Sequence, residues 1–256
     1  MTVEQRCTIV EAVHLPSGGV SMTFQSHGMA AQIIRPGQFV HVRCGEGLLL
    51  RRPISICSWS VEGDLIRMVF EARGEGTRWL AQRQVGEELD VLGPLGHGFQ
   101  MEPQGRYLLV GGGIGVPPML GCAKHAGVNN TAILGFRSQG NAMLVEEFAT
   151  CCGQVRVATD DGSMGHHGFV DALVREELER NSDYTAVLAC GPKPMLRSVA
   201  KVAEAMGVPC QVSMEERMGC GVGACLVCAC KSADGHQKHV CKDGPVFDSK
   251  EVSWDD

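Results

Sequence analysis

The sequence predicts a multidomain β plus α/β protein. An antiparallel β-barrel is expected over residues 1–103, a parallel-sheet α/β domain over 104–212 and a small cysteine-rich subdomain over 213–256. Three observations carry this reading. Short β-like runs recur at roughly ten-residue intervals through the first part of the chain, with glycine and proline between them. Strand–helix alternation sets in near Gly105, as in a parallel sheet with crossover helices. From residue 213 onward the chain is rich in cysteine and glycine and has little helical periodicity.

The barrel strands are expected at Cys7–Val13, Val20–Phe24, Gln38–Arg43, Ile54–Trp59, Leu65–Phe70 and Glu88–Leu92, with one short helix, Thr77–Gln84, between the last two. In the second domain Tyr107–Val110, Thr131–Phe136, Val155–Thr159 and Thr185–Ala189 read as apolar strands. Phe169–Arg180 and Met195–Met206 read as helices. No internal repeat or low-complexity linker is present.

Hydrophobic residues make up 44% of the 256 residues and charged residues 20%, an ordinary globular mix. The net charge of −6 argues against nucleic acid as the main partner, because phosphate binding needs a basic surface. No apolar run is long enough to span a membrane. The opening MTVEQRCTIVEAVHL lacks the basic and apolar regions of a signal peptide, so a cytoplasmic protein is expected. In a reducing cytosol, 13 cysteines point to metal or redox chemistry wherever they cluster. The scattered ones, such as Cys7, Cys44, Cys57, Cys122 and Cys210, read as small buried apolar residues.

The cluster lies in MGCGVGACLVCACKSADGHQKHVCKDGPVF. Cys220, Cys225 and Cys228 form C-x4-C-x2-C, and Cys241 follows after twelve residues. This is the plant-type spacing of a [2Fe–2S] site, which needs four thiolates around two irons. Three would come from a tight loop and the fourth from a returning strand. Gly219, Gly221 and Gly223 would let the loop turn its N–H groups toward sulfur. A zinc site more often shows two C-x2-C pairs, and a disulfide pair is the other alternative. Cys230 shares a face with Cys228 by strand alternation and reads as packing.

GGGIGVPP, Gly111 to Pro118, joins an apolar strand to a helix. A glycine-rich βα turn lets the backbone approach a pyrophosphate in front of the helix N-terminus. The pattern is G-x-G-x-x-P, and proline is tolerated in a first helical turn. ACGPKPM, Ala189 to Met195, ends a later strand, where open α/β sheets bind their ligands. In the barrel, Arg51-Arg52-Pro53-Ile54-Ser55 opens a strand. An arginine suits a diphosphate and a hydroxyl suits a flavin ring nitrogen, although arginines at strand ends are commonly just solvated. Gly74 to Thr77 precedes the short helix, with Thr77 as its expected cap and phosphate-binding N–H groups behind it. His166 and His167 read as solvated loop residues.

Taken in order, R-P-x-S, G-x-G-x-x-P and C-G-P resemble the ferredoxin reductase-like flavoproteins over nearly the whole chain. The run EERMGCGVGACLVCAC followed by VCKDGPVF is similar to the electron-transfer subunits of NAD-dependent dihydroorotate dehydrogenase B. The resemblance implies a barrel that binds FAD, an α/β domain that binds NAD(H) and a tail that carries a [2Fe–2S] cluster. Arg52, Pro53, Ile54 and Ser55 would then hold the flavin and its diphosphate. Val69, Phe70 and Glu71 would line the FAD, and Gly76 and Thr77 would bind its phosphates. Gly111, Gly112, Gly113 and Gly115 would face the NAD pyrophosphate, with Cys190 and Gly191 near the nicotinamide. Cys220, Cys225, Cys228 and Cys241 would ligate the cluster. The implied partner is an FMN-containing dihydroorotate dehydrogenase catalytic subunit, in a heterotetramer of two chains of each kind. A related reductase subunit serving a ferredoxin, sulfide or hydrogenase partner is the alternative.

Two features depart from the pattern. Ile54 stands where the wider superfamily often has an aromatic residue, so stacking on the flavin is lost. The twelve residues before Cys241 are fewer than in plant ferredoxins. The preference for NAD over NADP rests on the resemblance, because Arg137 after the second α/β strand suits either a 2′-phosphate or plain solvent.

Overall fold

The structure is a computed structural model that describes residues 3–255. Six strands close an antiparallel barrel in the order β1-β2-β5-β4-β3-β6: β1 (Val3–His14), β2 (Gly19–Gln25), β3 (Phe39–Val42), β4 (Arg52–Ser60), β5 (Leu65–Glu71) and β6 (Glu88–Leu95). Alternation drives inward residues such as Met22, Val40, Val42, Ile56 and Met68 into one apolar cluster. Closure leaves no open sheet edge.

The short helix inside the barrel, α1, spans Glu75–Ala81 and not Thr77–Gln84. Gly74 is its N-cap, so the expected cap at Thr77 is corrected: Thr77 sits one turn in. Its hydroxyl accepts the Gly74 N–H at 3.0 Å and donates to the Gly74 carbonyl at 3.2 Å, closing the first turn from inside.

The second unit is a seven-stranded sheet in the order β10-β9-β8-β7-β11-β12-β15. Its strands are β7 (Tyr107–Gly112), β8 (Thr131–Phe136), β9 (Gln154–Thr159), β10 (His166–His167), β11 (Ala186–Cys190), β12 (Cys210–Ser213) and β15 (Val246–Asp248). Helices α2 (Val116–Ala126) and α3 (Val145–Cys151) contribute to the cluster on one face, and α4 (Val170–Arg180) and α5 (Lys193–Ala205) to that on the other. Strands covered on both faces read as continuous apolar runs, as Tyr107–Val110 does.

Several elements differ from expectation. β12 and α3 carry too short an apolar signal to be read locally. His166 and His167 pair with β9 as a two-residue edge strand and do not lie in a loop. The sheet is parallel except at β15, which belongs to the cysteine-rich tail and runs antiparallel to β12. The tail also forms a small hairpin of β13 (Ala229–Lys231) and β14 (Gln237–His239). Through Cys228, Val240, Cys241 and Phe247 it shares an apolar cluster with the sheet.

Barrel and sheet pack directly. α2 lies on β4, where a Cβ on Gly121 would stand 3.1 Å from the Cys57 carbonyl oxygen. Arg67 on β5 reaches Glu147 on α3 through two nearly parallel bonds of 2.7 and 3.0 Å.

Candidate redox and nucleotide sites

Strand order fixes where a nucleotide can bind. From β7 the chain moves outward through β8, β9 and β10. It then returns to the other side of β7 for β11 and β12. The β7/β11 junction is therefore the topological switch point, where the strand ends diverge and leave a crevice. Gly111 and Cys190 are register partners across that junction. The two turns that follow touch backbone to backbone: a Cβ on Gly115 would lie 2.3 Å from the Cys190 carbonyl oxygen and 2.6 Å from the Gly191 nitrogen. One on Gly112 would lie 2.4 Å from Met195 Sδ. The structure thus brings Gly111, Gly112, Gly113, Gly115, Cys190 and Gly191 together at one crevice. Pro117 and Pro118 occupy the first turn of α2, where the missing N–H groups have no intrahelical partner to lose. Burial pushes the Cys190 thiol up to about 12, so it is a protonated neighbour of the crevice.

The Arg52–Ser55 run lies at the start of β4. A Cβ on Gly76 would stand 2.5 Å from Arg52 Nε, so only glycine lets the guanidinium lie against the first turn of α1. The Arg78 N–H, bonded to the Gly74 carbonyl at 2.9 Å, is the first to find an acceptor in that helix. The N–H groups of residues 75–77 lie ahead of it and, with Arg52, offer donors for a diphosphate. Arg52 Nη1 meanwhile donates to the Leu50 carbonyl. Ile54 is buried in the barrel cluster, so its side chain is committed there, and Ser55 is half-buried beside it. On β5, Val69 faces the sheet-side cluster, Phe70 faces the barrel core, and Glu71 pairs with Arg73 at 2.5 Å. β5 also touches the Gly113–Gly115 turn and pairs with β4, so the Arg52–Ser55 strand is linked to the crevice.

The tail folds its cysteines into a donor cage. Cys220 Sγ accepts N–H groups from Val222 (3.4 Å), Ala224 (3.2 Å) and Cys225 (3.4 Å). Cys225 Sγ accepts from Cys220 (3.3 Å), Cys241 Sγ from Gly223 (3.1 Å) and Cys228 Sγ from Cys241 (3.4 Å). Gly221 and Gly223, at φ +76° and +81°, make the turns that aim these amides. Gly219 instead gives room, since its Cβ would stand 3.0 Å from Cys225 Sγ. Cys241 lies in the turn just after β14, not in the returning strand itself.

Among the described residues, no three His, Cys, Asp or Glu converge on one metal point. The sulfurs instead come in neighbouring pairs, Cys220 with Cys225 and Cys228 with Cys241. Two pairs suit a two-iron cluster, in which four thiolates are shared between the irons. Burial alone would raise Cys220, but the N–H groups and the Cys225 thiol outweigh it and bring it down to about 6. Burial and the neighbouring Cys228 push Cys241 up to about 12. Cys230 is half-buried in β13 and packs against the apolar cluster that holds Cys228 and Cys241.

Sequence reasoning missed His41. This histidine in the run Phe39-Val40-His41-Val42 is fully buried against the cysteine loop. A lone polar residue in an apolar strand was the only signal available.

A closed antiparallel barrel packed on an α/β sheet, with a nucleotide crevice and a four-thiol cage, defines a ferredoxin reductase-like oxidoreductase with an iron–sulfur domain. Residues 215–253 match the iron–sulfur cluster binding domain of dihydroorotate dehydrogenase B, and residues 109–201 match the oxidoreductase NAD-binding domain. The chain is 40% identical to the dihydroorotate dehydrogenase B (NAD(+)) electron transfer subunit of Geobacillus thermodenitrificans, over 98% of this chain and 99% of that one. It is 44% identical to the Bacillus caldolyticus subunit, over 88% and 89%. A solved chain of the NADH-dependent reduced ferredoxin–NADP oxidoreductase superposes with a TM-score of 0.87 at 33% identity, covering 97% of this chain and 90% of that one. The chain belongs to the family of dihydroorotate dehydrogenase B electron transfer subunits.

Proposed function

We propose that this chain passes electrons between NAD(H) and an FMN-containing dihydroorotate dehydrogenase catalytic subunit. It would do so in the cytoplasm, in pyrimidine biosynthesis, within a heterotetramer of two chains of each kind. FAD, when bound, accepts a hydride and passes on its two electrons one at a time, as a [2Fe–2S] cluster requires. The observation that carries the reading is a continuous chain of contacts. The glycine turn meets β5, β5 pairs with β4, β4 pairs with β3, and His41 of β3 meets the Cys220–Gly221 turn.

Each residue set then has a task. Gly111, Gly112, Gly113 and Gly115 would admit the NAD pyrophosphate, and Cys190 and Gly191 would bound the nicotinamide crevice. Arg52, Gly76 and Thr77 would receive the FAD diphosphate. Pro53, Ile54, Ser55, Val69, Phe70 and Glu71 would form the wall beside it, Ile54 and Phe70 through their backbone and Ser55 through its hydroxyl. Cys220, Cys225, Cys228 and Cys241 would hold the irons.

Two features support a protein partner at the cluster. Cys225 is exposed, and Val222, Leu226 and Val227 around it are exposed apolar side chains. Such a patch marks an interaction surface more often than an ordinary one. No helix of the described residues is long and apolar enough to cross a membrane. The likeness to the ferredoxin–NADP oxidoreductase chain favours a second reading, in which the electron partner is a ferredoxin.

The purified chain is expected to catalyse NADH-dependent dye reduction and no oxidation of dihydroorotate. Adding the catalytic subunit is expected to produce NAD-dependent orotate formation. Orotate formation by this chain alone would contradict the proposal, and ferredoxin reduction without response to the catalytic subunit would favour the second reading.

A further inference from the structure

His41 stands in β3 between two valines that pack into the barrel core. Strand alternation puts it on the opposite face, with Phe39. That face belongs to the cluster containing Leu95, Cys228 and Cys241. The imidazole is 0% exposed and meets Phe39 edge-on, with 6.4 Å between ring centres. Neither ring nitrogen meets full hydrogen-bond geometry among the described residues, and the polar group that acts on the ring is the Cys220 backbone. Buried polar groups are nearly always paired, so one that is not calls for an explanation.

The surroundings supply it. A Cβ on Gly221 would lie 2.7 Å from His41 Nδ1, and the backbone there has φ +76°. The cysteine loop is therefore seated directly on the ring. On the barrel side, His41 is the register partner of Pro53, and its carbonyl accepts from Arg51 Nη1 at 3.4 Å. One residue thus joins the flavin run to the thiol cage. Burial and the Arg51 and Arg52 charges disfavour a charged ring, and a backbone hydrogen bond at Cys220 opposes them. A neutral imidazole has one N–H donor and one acceptor nitrogen. The backbone N–H groups of the cage are already directed at sulfur, and hydrogen bonds to sulfur are a main control of cluster potential.

We propose that His41 is a positioning residue of the iron–sulfur site: it braces the Cys220–Gly221 turn against the barrel and holds a ring N–H at the backbone of Cys220, so that the cluster's reduction potential depends on it. This rests on the reading that Cys220, Cys225, Cys228 and Cys241 hold a [2Fe–2S] cluster.

The test uses the full-length protein carrying flavin and cluster. With histidine alone labelled with ¹⁵N, pulsed EPR of the dithionite-reduced protein is expected to show a ¹⁵N coupling to the cluster that His41→Asn abolishes. In redox titrations followed by EPR, His41→Leu is expected to lower the midpoint potential by a tenfold change in the one-electron equilibrium, or 59 mV. His41→Asn keeps a donor and is expected to stay within about threefold of the parent. A normal cluster signal without the ¹⁵N coupling overturns the proposal alone, whether or not the variants fold. An unchanged midpoint in His41→Leu does the same. A parent protein with no reducible [2Fe–2S] signal overturns the functional reading and this proposal together.

Discussion

Gly115 and Cys190 stand so close that a single methyl group cannot enter between them: a Cβ on Gly115 would be 2.3 Å from the Cys190 carbonyl oxygen. The obstacle is backbone and cannot swing aside as a side-chain tip would. Gly115→Ala must therefore spread the two turns that frame the nucleotide crevice. The expected result is a fall of about 10²-fold in kcat/KM for NADH in dye reduction. Flavin and iron content should be unchanged. Steady-state kinetics beside cofactor analysis checks both parts.

Arg52 tests the flavin assignment. Its guanidinium lies against Gly76 at the start of α1. Loss of a charge-assisted, two-pronged contact is worth roughly 1.5–3 kcal/mol, or about 10- to 100-fold in affinity. Arg52→Ala should lose FAD on gel filtration and keep its iron. Arg52→Lys should recover only part of the affinity, because an ammonium offers a point charge in place of a planar fork. Fluorescence titration with FAD measures both.

The thiol cage separates ligands from bystanders. Cys220→Ser and Cys228→Ser should each lose iron, acid-labile sulfide and the visible absorption of the cluster. Cys230→Ser should lose none of them, because the N–H groups of the cage are directed at Cys220, Cys225, Cys228 and Cys241 and not at Cys230. Iron and sulfide assays decide this. Cys228 and Cys241 belong to the apolar cluster that the tail shares with the sheet. Removal of the iron should therefore make the tail near residues 217–243 the first site of limited proteolysis, ahead of barrel and sheet.

Arg67 and Glu147 clamp the barrel to the sheet with bonds of 2.7 and 3.0 Å. Each also has another partner: Arg67 Nε donates to Ser21 Oγ at 2.8 Å, and Lys124 lies 3.9 Å from Glu147. A double-mutant cycle to alanine should give a coupling of about 1 kcal/mol in denaturant unfolding. A coupling near zero would mean that this pair adds nothing to the packing of the two units.

Much of this molecule was legible in the chain because its signals are local. Barrel strands announce themselves by alternation and by the turns between them. The β7–α2 turn was legible from its glycines, and the cage from the spacing of Cys220, Cys225 and Cys228. What escaped depends on distant partners. β15 is a strand only because β12 offers it an edge. The start of α1 was misread because Gly74 caps it without a side chain, whereas Thr77 looked like the cap and turned out to close the turn from within. Ile54 follows the motif in sequence, yet its side chain joins the barrel core. His41 carried only the signal of a polar residue in an apolar strand, since its neighbour Gly221 lies far along the chain.

The central claim is that this chain takes electrons from NADH and delivers them to its own cluster. Anaerobic addition of NADH to the purified protein, followed by absorption and EPR, tests it most directly. The account predicts bleaching of the flavin together with the EPR signal of a reduced [2Fe–2S] centre. Bleaching of the flavin with an EPR-silent cluster that dithionite can still reduce would contradict it.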